Sequence, residues 1–185
     1  MIKTIVTTTI NKPTEALIKF SQMKGWDLVV VGDQKTPHKE YLSNKNLTYL
    51  TPDDQEKISK KLSNLIGWNC IQRRNFGFIY ANKIGSDIVA TVDDDNIPYK
   101  NWGKNLLVKK KVKARMFNSN FNAFDPLSVT EHKKFLWHRG FPVEYIKTTR
   151  PKYIGKKDVN CIVQADLWDG DPDIDAICRI ANSPI

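Results

Sequence analysis

The sequence predicts an α/β fold with a mostly parallel central sheet flanked by helices. Three apolar runs of strand character, residues 2–10, 26–33 and 88–92, are separated by helical patterns. Strands that alternate with helices pair in parallel through right-handed crossovers. Polar residues end two of these runs, at Gly32-Asp33 and at Asp93–Asn96. Because ligands bind at the carboxyl ends of such strands, we expect the functional site at that edge.

The opening segment has the pattern of a β-α-β unit. Residues 2–10 are rich in Ile, Val and Thr, which favours a strand. Asn11 is placed to cap the next helix, Pro13 fits its first turn, and Gly25 ends it. Residues 26–33 then form a second, buried strand.

A loop, a short strand and a capped helix follow. Residues 34–43 have the pattern of a loop, and residues 47–50 that of a short strand. Thr51 caps a helix that begins at Pro52, carries acids in its first turn and ends at Gly67. Its inward-facing residues are expected to be Ile58, Leu62, Leu65 and Ile66.

The chain beyond Gly67 leads to the acidic strand. A helix from Arg74 to Ile84 precedes residues 88–92, whose apolar side chains predict a strand buried on both faces. Pro98 marks where strand pairing stops. The later pattern is less regular and predicts a strand in two pieces at 106–117, a loop at 121–140, short strands at 141–146 and 160–164, and a short helix at 174–180.

Length and composition favour one domain, residues 1–185, in the cytoplasm. With 185 residues and 41% hydrophobic content, the chain can bury a sizeable core. It has no run of about 18 apolar residues, hence no transmembrane helix, and its N-terminus is too short and polar for a secretory signal. The three cysteines are widely spaced, which is typical of reduced thiols.

The formal net charge of +9 favours an anionic partner and leaves nucleic acid, a phosphorylated metabolite and a membrane surface open. Much of the charge is clustered, as in residues 109–115, where a solvated lysine-rich edge that opposes aggregation is favoured over a binding site. No specific nucleic-acid contact is expected, because the aromatic residues do not interleave with the lysines as stacking platforms would.

Three adjacent carboxylates, Asp93, Asp94 and Asp95, end the third strand. Adjacent acids repel one another and resist desolvation. A divalent cation offsets that cost, because carboxylate oxygens suit Mg²⁺ or Mn²⁺, which also bridge phosphates. The alternative is a solvated acidic turn that caps the strand, and these residues alone leave the two interpretations level.

Two further motifs place charge at turns. The run Arg73–Gly77 puts basic groups and amides at a helix start, where they suit an anion; taken alone, exposed arginines beside a core Phe76 are the favoured interpretation. Residues 166–176 surround a tight Gly-Asp-Pro turn whose carboxylates suit a general base or a helix N-cap. The aspartates of this turn are Asp169, Asp171, Asp173 and Asp175.

Four motifs occur in order along the chain: Arg73–Ala81, Val92–Pro98, Trp137–Val143 and Leu167–Ala176. Together they resemble the STELLO-type glycosyltransferase-like family, which is related to the plant reversibly glycosylated polypeptides. The resemblance begins at the first strand, includes residues 26–33, and covers most of the chain. The order of four motifs makes it specific, although each motif is weak alone.

The resemblance implies a GT-A fold, the sugar-nucleotide-binding α/β sheet, with Asp93-x-Asp95 as its D-x-D motif. In that role Asp95 ligates Mn²⁺ or Mg²⁺, and Asp93 joins the metal site through a bound water or faces the ribose. Asp94 binds the ribose or caps the strand. The implied substrate-binding residues are Thr8, Thr9 and Asp33 beside the nucleobase and ribose, Arg74 at the diphosphate, and Asp93, Asp94, Arg139 and Trp168.

The implied activity is metal-dependent transfer of a sugar from a nucleoside-diphosphate sugar, a UDP-sugar first among them, to a hydroxyl of a glycan or protein. Asp173, or else Asp171, deprotonates that hydroxyl if the reaction inverts. One alternative is a sugar-nucleotide mutase or self-glycosylating protein. Arg139 holds the position glycosylated in the plant polypeptides, but the sequence reads Phe141 where they have Tyr. The other alternative is a non-catalytic sugar-nucleotide-binding subunit.

The relatives continue beyond the last motif, whereas this chain stops at Ile185. We therefore expect a minimal version that lacks a C-terminal extension, a fragment, or a domain completed by a second copy or a partner subunit.

Overall fold

The computed structural model describes residues 1–131, 135–148, 151–167 and 173–182. The chain divides into two compact units, Met1–Lys104 and Asn105–Ile185. Two such units can belong to one domain, so the single domain predicted for residues 1–185 stays a prediction. Across the described ranges, none of the helices has the length and apolar character that a membrane crossing needs.

A four-stranded parallel sheet organises the first unit. The second strand pairs with the first and the third with the second, whereas the fourth pairs with the other side of the first. The carboxyl ends of the first and fourth strands therefore form the switch point of the sheet. This confirms the α/β class as a Rossmann-like sheet flanked by helices, and the GT-A fold stays a prediction. The strands are β1 (Lys3–Thr9), β2 (Asp27–Gly32), β3 (Thr48–Leu50) and β4 (Ile88–Thr91), in the order β3-β2-β1-β4.

Four helices connect or flank these strands, and a 3-10 turn at Ile71–Arg74 precedes the last of them. They are α1 (Glu15–Ser21), α2 (His38–Leu42), α3 (Pro52–Ile66) and α4 (Asn75–Lys83).

The helix starts follow local capping chemistry, with two corrections. The hydroxyl of Thr14, rather than the side chain of Asn11, caps α1, because it accepts the Leu17 N–H at 3.2 Å. α2 lies where a loop was predicted, and the complete burial of Tyr41 holds this five-residue helix in place. α3 begins as predicted, since Thr51 and Asp54 form a reciprocal capping box.

α4 lies directly on the sheet because a glycine faces the contact. A Cβ atom on Gly77 would lie 2.3 Å from Val6 Cγ1 and 3.0 Å from Val31 Cγ2. Leu65 was expected in this core but is 76% exposed, because the buried residue in the last part of α3 is Ser63, and Leu65 lies about 200° around the helix from it. The core residues are Val6, Val29, Val31, Leu50, Phe76 and Ala81, covered by Ile58, Leu62 and Ile66 of α3.

The prediction that residues 88–92 form a strand buried on both faces is wrong. β4 pairs only with β1 among the strands of the described ranges and is therefore an edge of the sheet. Val89 is 41% exposed. A short apolar run does not by itself separate an edge strand from a central one.

An antiparallel ribbon, β5 (Lys111–Asn118) paired with β6 (Lys152–Asn160), forms part of the second unit. The strand predicted at 160–164 is wrong, and residues 141–146 contain a 3-10 turn at Val143–Tyr145 instead of a strand. β6 was not predicted, because its lysine-rich sequence lacks apolar alternation. Pairing with β5 supplies its backbone hydrogen bonds instead.

A small apolar core lies beside the C-terminal helix α5 (Ala176–Ala181), whose position confirms the helix predicted at 174–180 within two residues. This core consists of Leu127, Leu136, Trp137, Ile174 and Cys178.

Candidate functional site

Asp94 closes the switch point between β1 and β4. The Thr9 hydroxyl donates a hydrogen bond to Asp94 Oδ2, and Asn11 Nδ2 donates to the same oxygen at 3.0 Å. The Thr14 hydroxyl donates to the Asp94 backbone carbonyl. These bonds tie the end of β1 and the start of α1 to the acidic turn. The geometry is that of a strand cap, and contact between Asp94 and a ribose stays a prediction.

Asp93 faces Arg74 across the same turn. Arg74 NH2 lies 2.5 Å from Asp93 Oδ1, and Arg74 NH1 donates to the Thr91 hydroxyl at 3.0 Å. The Arg74 side chain is 16% exposed and that of Asp93 is 38% exposed, so the pair is only partly solvated. The structure thus brings together the residue predicted for the diphosphate and one predicted for the metal.

Asp95 takes part in neither of these contacts. Its side chain is exposed and has no hydrogen bond or ion pair with any described residue. Within the ranges the structure describes, no three His, Cys, Asp or Glu side chains converge as a metal-binding group. Mg²⁺ is commonly held by one or two carboxylates together with substrate phosphates. A cation site formed by Asp93 and Asp95 therefore stays a prediction, and these two carboxylates would need further ligands such as substrate phosphates.

Asp33 and Thr8 contact the backbone at the ends of β2 and β1. Asp33 is 2% exposed, and its two carboxylate oxygens accept the backbone N–H groups of Gln34 at 2.7 Å and Cys70 at 3.2 Å. The Thr8 hydroxyl donates to the Val31 carbonyl at 2.8 Å. Both residues lie at the predicted edge, and their contacts with a nucleobase or ribose stay predictions.

Arg73 is fully buried, which corrects the interpretation of two exposed arginines. Its Nε donates to Gln55 Oε1 at 2.8 Å, and its NH1 donates to the Ser63 hydroxyl at 3.0 Å and the Gly67 carbonyl at 3.2 Å. Gln55 in turn donates to the Gly32 carbonyl at 2.7 Å. Burial lowers the pKa of Arg73. Arg73 therefore ties α3 to the end of β2, and no local pattern in the sequence signals this network.

Two tyrosines and a histidine cover the end of β2. The rings of Tyr41 and Tyr49 stack at 5.0 Å, and the Tyr49 hydroxyl lies 2.7 Å from His38 Nδ1. A Cβ atom on Gly32 would lie 1.9 Å from the Tyr49 hydroxyl oxygen. Burial raises the pKa of both tyrosines to about 12. The sequence interpretation missed this cluster, because His38 and Tyr41 fall in the segment assigned to a loop.

In the second unit, Arg139 and Asp173 form one forked ion pair. Arg139 Nε lies 3.1 Å from Asp173 Oδ1 and NH2 lies 3.4 Å from Oδ2, while the Arg139 backbone N–H donates to the Asp173 carbonyl at 3.0 Å. The Arg139 side chain is 69% exposed. The predicted base is thus paired with the predicted substrate-binding arginine. Asp171 and Trp168 lie outside the described residues, so their predicted roles stay predictions.

Two partly buried contacts position the turn that carries Arg139. Asp125 is 4% exposed and accepts the His138 backbone N–H at 3.4 Å and the Leu127 N–H at 2.9 Å. The Trp137 indole N–H donates to Asp175, which also caps α5 by accepting the Cys178 N–H. An open cavity of about 390 Å³ lies beside this turn, lined by Ala123, Phe124, Pro126, His138, Arg139, Gly140, Phe141 and Pro142.

The ionisation of Asp125 predicts a pH dependence of stability. Burial raises the pKa of the Asp125 carboxyl, so the folded protein holds this proton more tightly than the unfolded chain does. Its contribution to stability is therefore fully present below the ordinary carboxyl pKa of about 3.9 and decreases as pH rises through the raised pKa. Urea unfolding measures the free energy of unfolding of the wild type and of Asp125→Asn across this pH range. As pH rises, this free energy should fall for the wild type relative to the variant. A difference between the two free energies that stays constant with pH would contradict the raised pKa of Asp125.

Comparison with known proteins identifies two distant relatives of the chain. No family model matches it. Two curated Arabidopsis thaliana proteins, Probable glycosyltransferase STELLO2 and Probable glycosyltransferase STELLO1, are each 23% identical to it over 190 residues. Each alignment covers 95% of this chain and 24% of the relative, so the chain spans about a quarter of the length of the relatives it matches. The resemblance drawn from the motifs is thereby supported at a distant level: the chain is similar to probable glycosyltransferases.

Proposed function

We propose that the chain forms a glycosyltransferase domain that transfers a sugar from a nucleoside-diphosphate sugar, with a UDP-sugar as first choice, to an acceptor hydroxyl. The similarity to two probable glycosyltransferases over 95% of the chain carries this proposal. The switch point of the sheet supports it, because Thr9, Arg74 and Asp93 lie there.

The Arg74–Asp93 pair is the charged element that would receive the donor. Arg74 would exchange one carboxylate oxygen of Asp93 for the diphosphate, to which a guanidinium can donate two parallel hydrogen bonds. Asp93, released from Arg74, would then join Asp95 in holding Mn²⁺ or Mg²⁺. Such a cation supplies Lewis-acid stabilisation of the departing diphosphate. Both charges of the pair are compensated before and after binding.

Asp173 is the general base in this proposal if the reaction inverts. A carboxylate at this position would accept the proton of the acceptor hydroxyl as that oxygen attacks the anomeric carbon. Arg139 would orient Asp173 through the forked contact. The variant Arg139→Lys keeps the positive charge but loses the two-point contact with the Asp173 carboxylate, because lysine has no planar guanidinium.

A thermal-shift experiment tests donor binding. A UDP-sugar with Mn²⁺, at about a hundredfold above its Kd, is expected to raise the Tm of the wild type by roughly 5 to 10 °C, because ligand binding adds about 2.7 kcal/mol. Asp95→Asn should remove most of this rise. Asp27→Asn, at an exposed carboxylate that begins β2 and so lies at the opposite end of the strands from the switch point, should leave this rise intact.

The outcomes separate the activities. An equal rise in wild type and Asp95→Asn would contradict the metal site, and the absence of a rise with any sugar nucleotide would contradict donor binding.

After incubation with donor, intact-protein mass identifies self-glycosylation if a sugar mass appears on wild type but not on Arg139→Lys. Donor binding without hydrolysis or transfer would favour the non-catalytic subunit.

A further inference from the structure

The β5–β6 ribbon gathers basic side chains from two segments that are far apart in the sequence. β5 contributes Lys111, Lys113 and Arg115, and β6 contributes Lys152, Lys156 and Lys157; the only acidic residue of the two strands is Asp158. These two strands thus supply more than half of the chain's formal net charge of +9. The sequence interpretation considered only the first segment and treated it as a solvated edge.

The register places most of this charge on one face. Successive side chains of a strand alternate between faces, and directly opposite residues share a face. Lys113 lies opposite Asp158, and Arg115 lies opposite Lys156. All four of these side chains are exposed, whereas the residues that alternate with them on β5, Val112, Ala114 and Met116, are half-buried. The ribbon therefore has a basic, solvent-exposed face and a partly covered one.

The opposition of Arg115 and Lys156 is unfavourable for the ribbon itself. Like charges directly opposite in a sheet lower its stability, and a two-stranded ribbon is marginal to begin with. Asp158 lies within ion-pair distance of Lys111, at 3.9 Å. In the described part of the chain, no acidic side chain pairs with Arg115 or Lys156. Arg115 instead lies 5.5 Å from the ring centroid of Tyr153, which is 46% exposed.

Exposed aliphatic side chains accompany the charge at both ends of β6. Ile154, at the irregular end of the ribbon, is 59% exposed. Ile162 and Val163, just past the other end, are 83% and 78% exposed. The phosphate backbone of a nucleic acid offers no apolar environment for such side chains. A lipid surface, in contrast, attracts basic groups to its headgroups and lets aromatic and aliphatic groups insert beside them.

We propose that the basic face of the β5–β6 ribbon binds an acidic membrane surface. Anionic headgroups neutralise the Arg115–Lys156 opposition, and Ile162 and Val163 enter the headgroup region. This interaction is independent of glycosyl transfer and of the donor site.

Co-sedimentation with vesicles tests the proposal on the full chain. We expect binding to phosphatidylcholine–phosphatidylserine vesicles, weaker binding at high salt, and little binding to phosphatidylcholine alone. Each basic side chain removed should lower the partition coefficient about fivefold, so Arg115→Gln/Lys156→Gln should lower it about 25-fold. Lys60→Gln/Lys61→Gln, which removes the same charge from the exposed side of α3, should change it by less than about twofold. Ile162→Ser/Val163→Ser should also weaken binding.

A charge reversal separates binding from folding. Lys156→Glu gives Arg115 an opposite charge across the ribbon, so the Tm should stay equal or rise while vesicle binding falls. Equal loss of binding in the α3 control would overturn the proposal, as would equal binding to neutral and acidic vesicles. Binding of a single-stranded oligonucleotide that depends on Arg115 and Lys156, without vesicle binding, would assign the face to nucleic acid instead.

Discussion

Replacing Arg73 by alanine is expected to lower the free energy of unfolding by about 3 to 5 kcal/mol. The guanidinium is fully buried, lies 3.7 Å from the centroid of the Trp68 ring and donates to Gln55, Ser63 and Gly67. Its removal leaves buried acceptors without donors and a void beside the ring. Urea unfolding followed by circular dichroism measures the effect.

The adjacent arginine is the matched control. Arg74→Ala removes the same side chain from a partly solvated ion pair, so it should cost only about 1 kcal/mol. It should nevertheless abolish most of the thermal shift produced by the donor. Arg73→Ala, measured at a temperature where the variant is folded, should retain donor binding. A loss below about 1 kcal/mol in Arg73→Ala would contradict the stabilising role of the buried network.

Replacing Gly77 by alanine is expected to lower the free energy of unfolding by about 1 to 3 kcal/mol, although alanine is the better helix former by about 1 kcal/mol. The added Cβ would lie 2.3 Å from Val6 Cγ1. α4 must therefore move away from β1 or Val6 must shift within a fully buried core. Because the 3-10 turn with Arg74 leads directly into α4, donor affinity should fall as well.

A double-mutant cycle tests this explanation. Val6→Ala removes the methyl group that the new Cβ meets, so Gly77→Ala should cost less in the Val6→Ala background than in the wild type. The coupling should favour the double variant by about 1 kcal/mol or more. Additive effects would show that the contact with Val6 is not the cause.

Local patterns predicted most of the strands and the start of α3 in the first half of the chain. The alternation of apolar runs with helical spacing predicted β1, β2, β3 and the parallel sheet, and the Thr51 cap predicted the start of α3. Each of these signals lies within a few residues of the element that it predicts. They also placed Asp33 and the acidic turn at the same edge of the sheet, because parallel strands end together.

Non-local contacts decided the rest, including the roles of neighbouring residues that look alike in the sequence. Arg73 and Arg74 differ because one side chain points under α3 and the other toward β4. The three acids differ in their contacts. Asp93 forms an ion pair with Arg74, Asp94 accepts a hydrogen bond from the Thr9 hydroxyl, and Asp95 is exposed to solvent.

Sequence by itself therefore determined the class of the fold, the parallel pairing of its first strands and the end of the strands where polar groups gather, since these depend on spacing along the chain. Tertiary structure alone decided which of three acids remains available, which arginine is structural, and that two basic segments form one face. The physical reason is that pairing register and burial join residues dozens of positions apart, as in Arg74 with Asp93 and Arg115 with Lys156. A single-sequence pattern carries no record of such pairs.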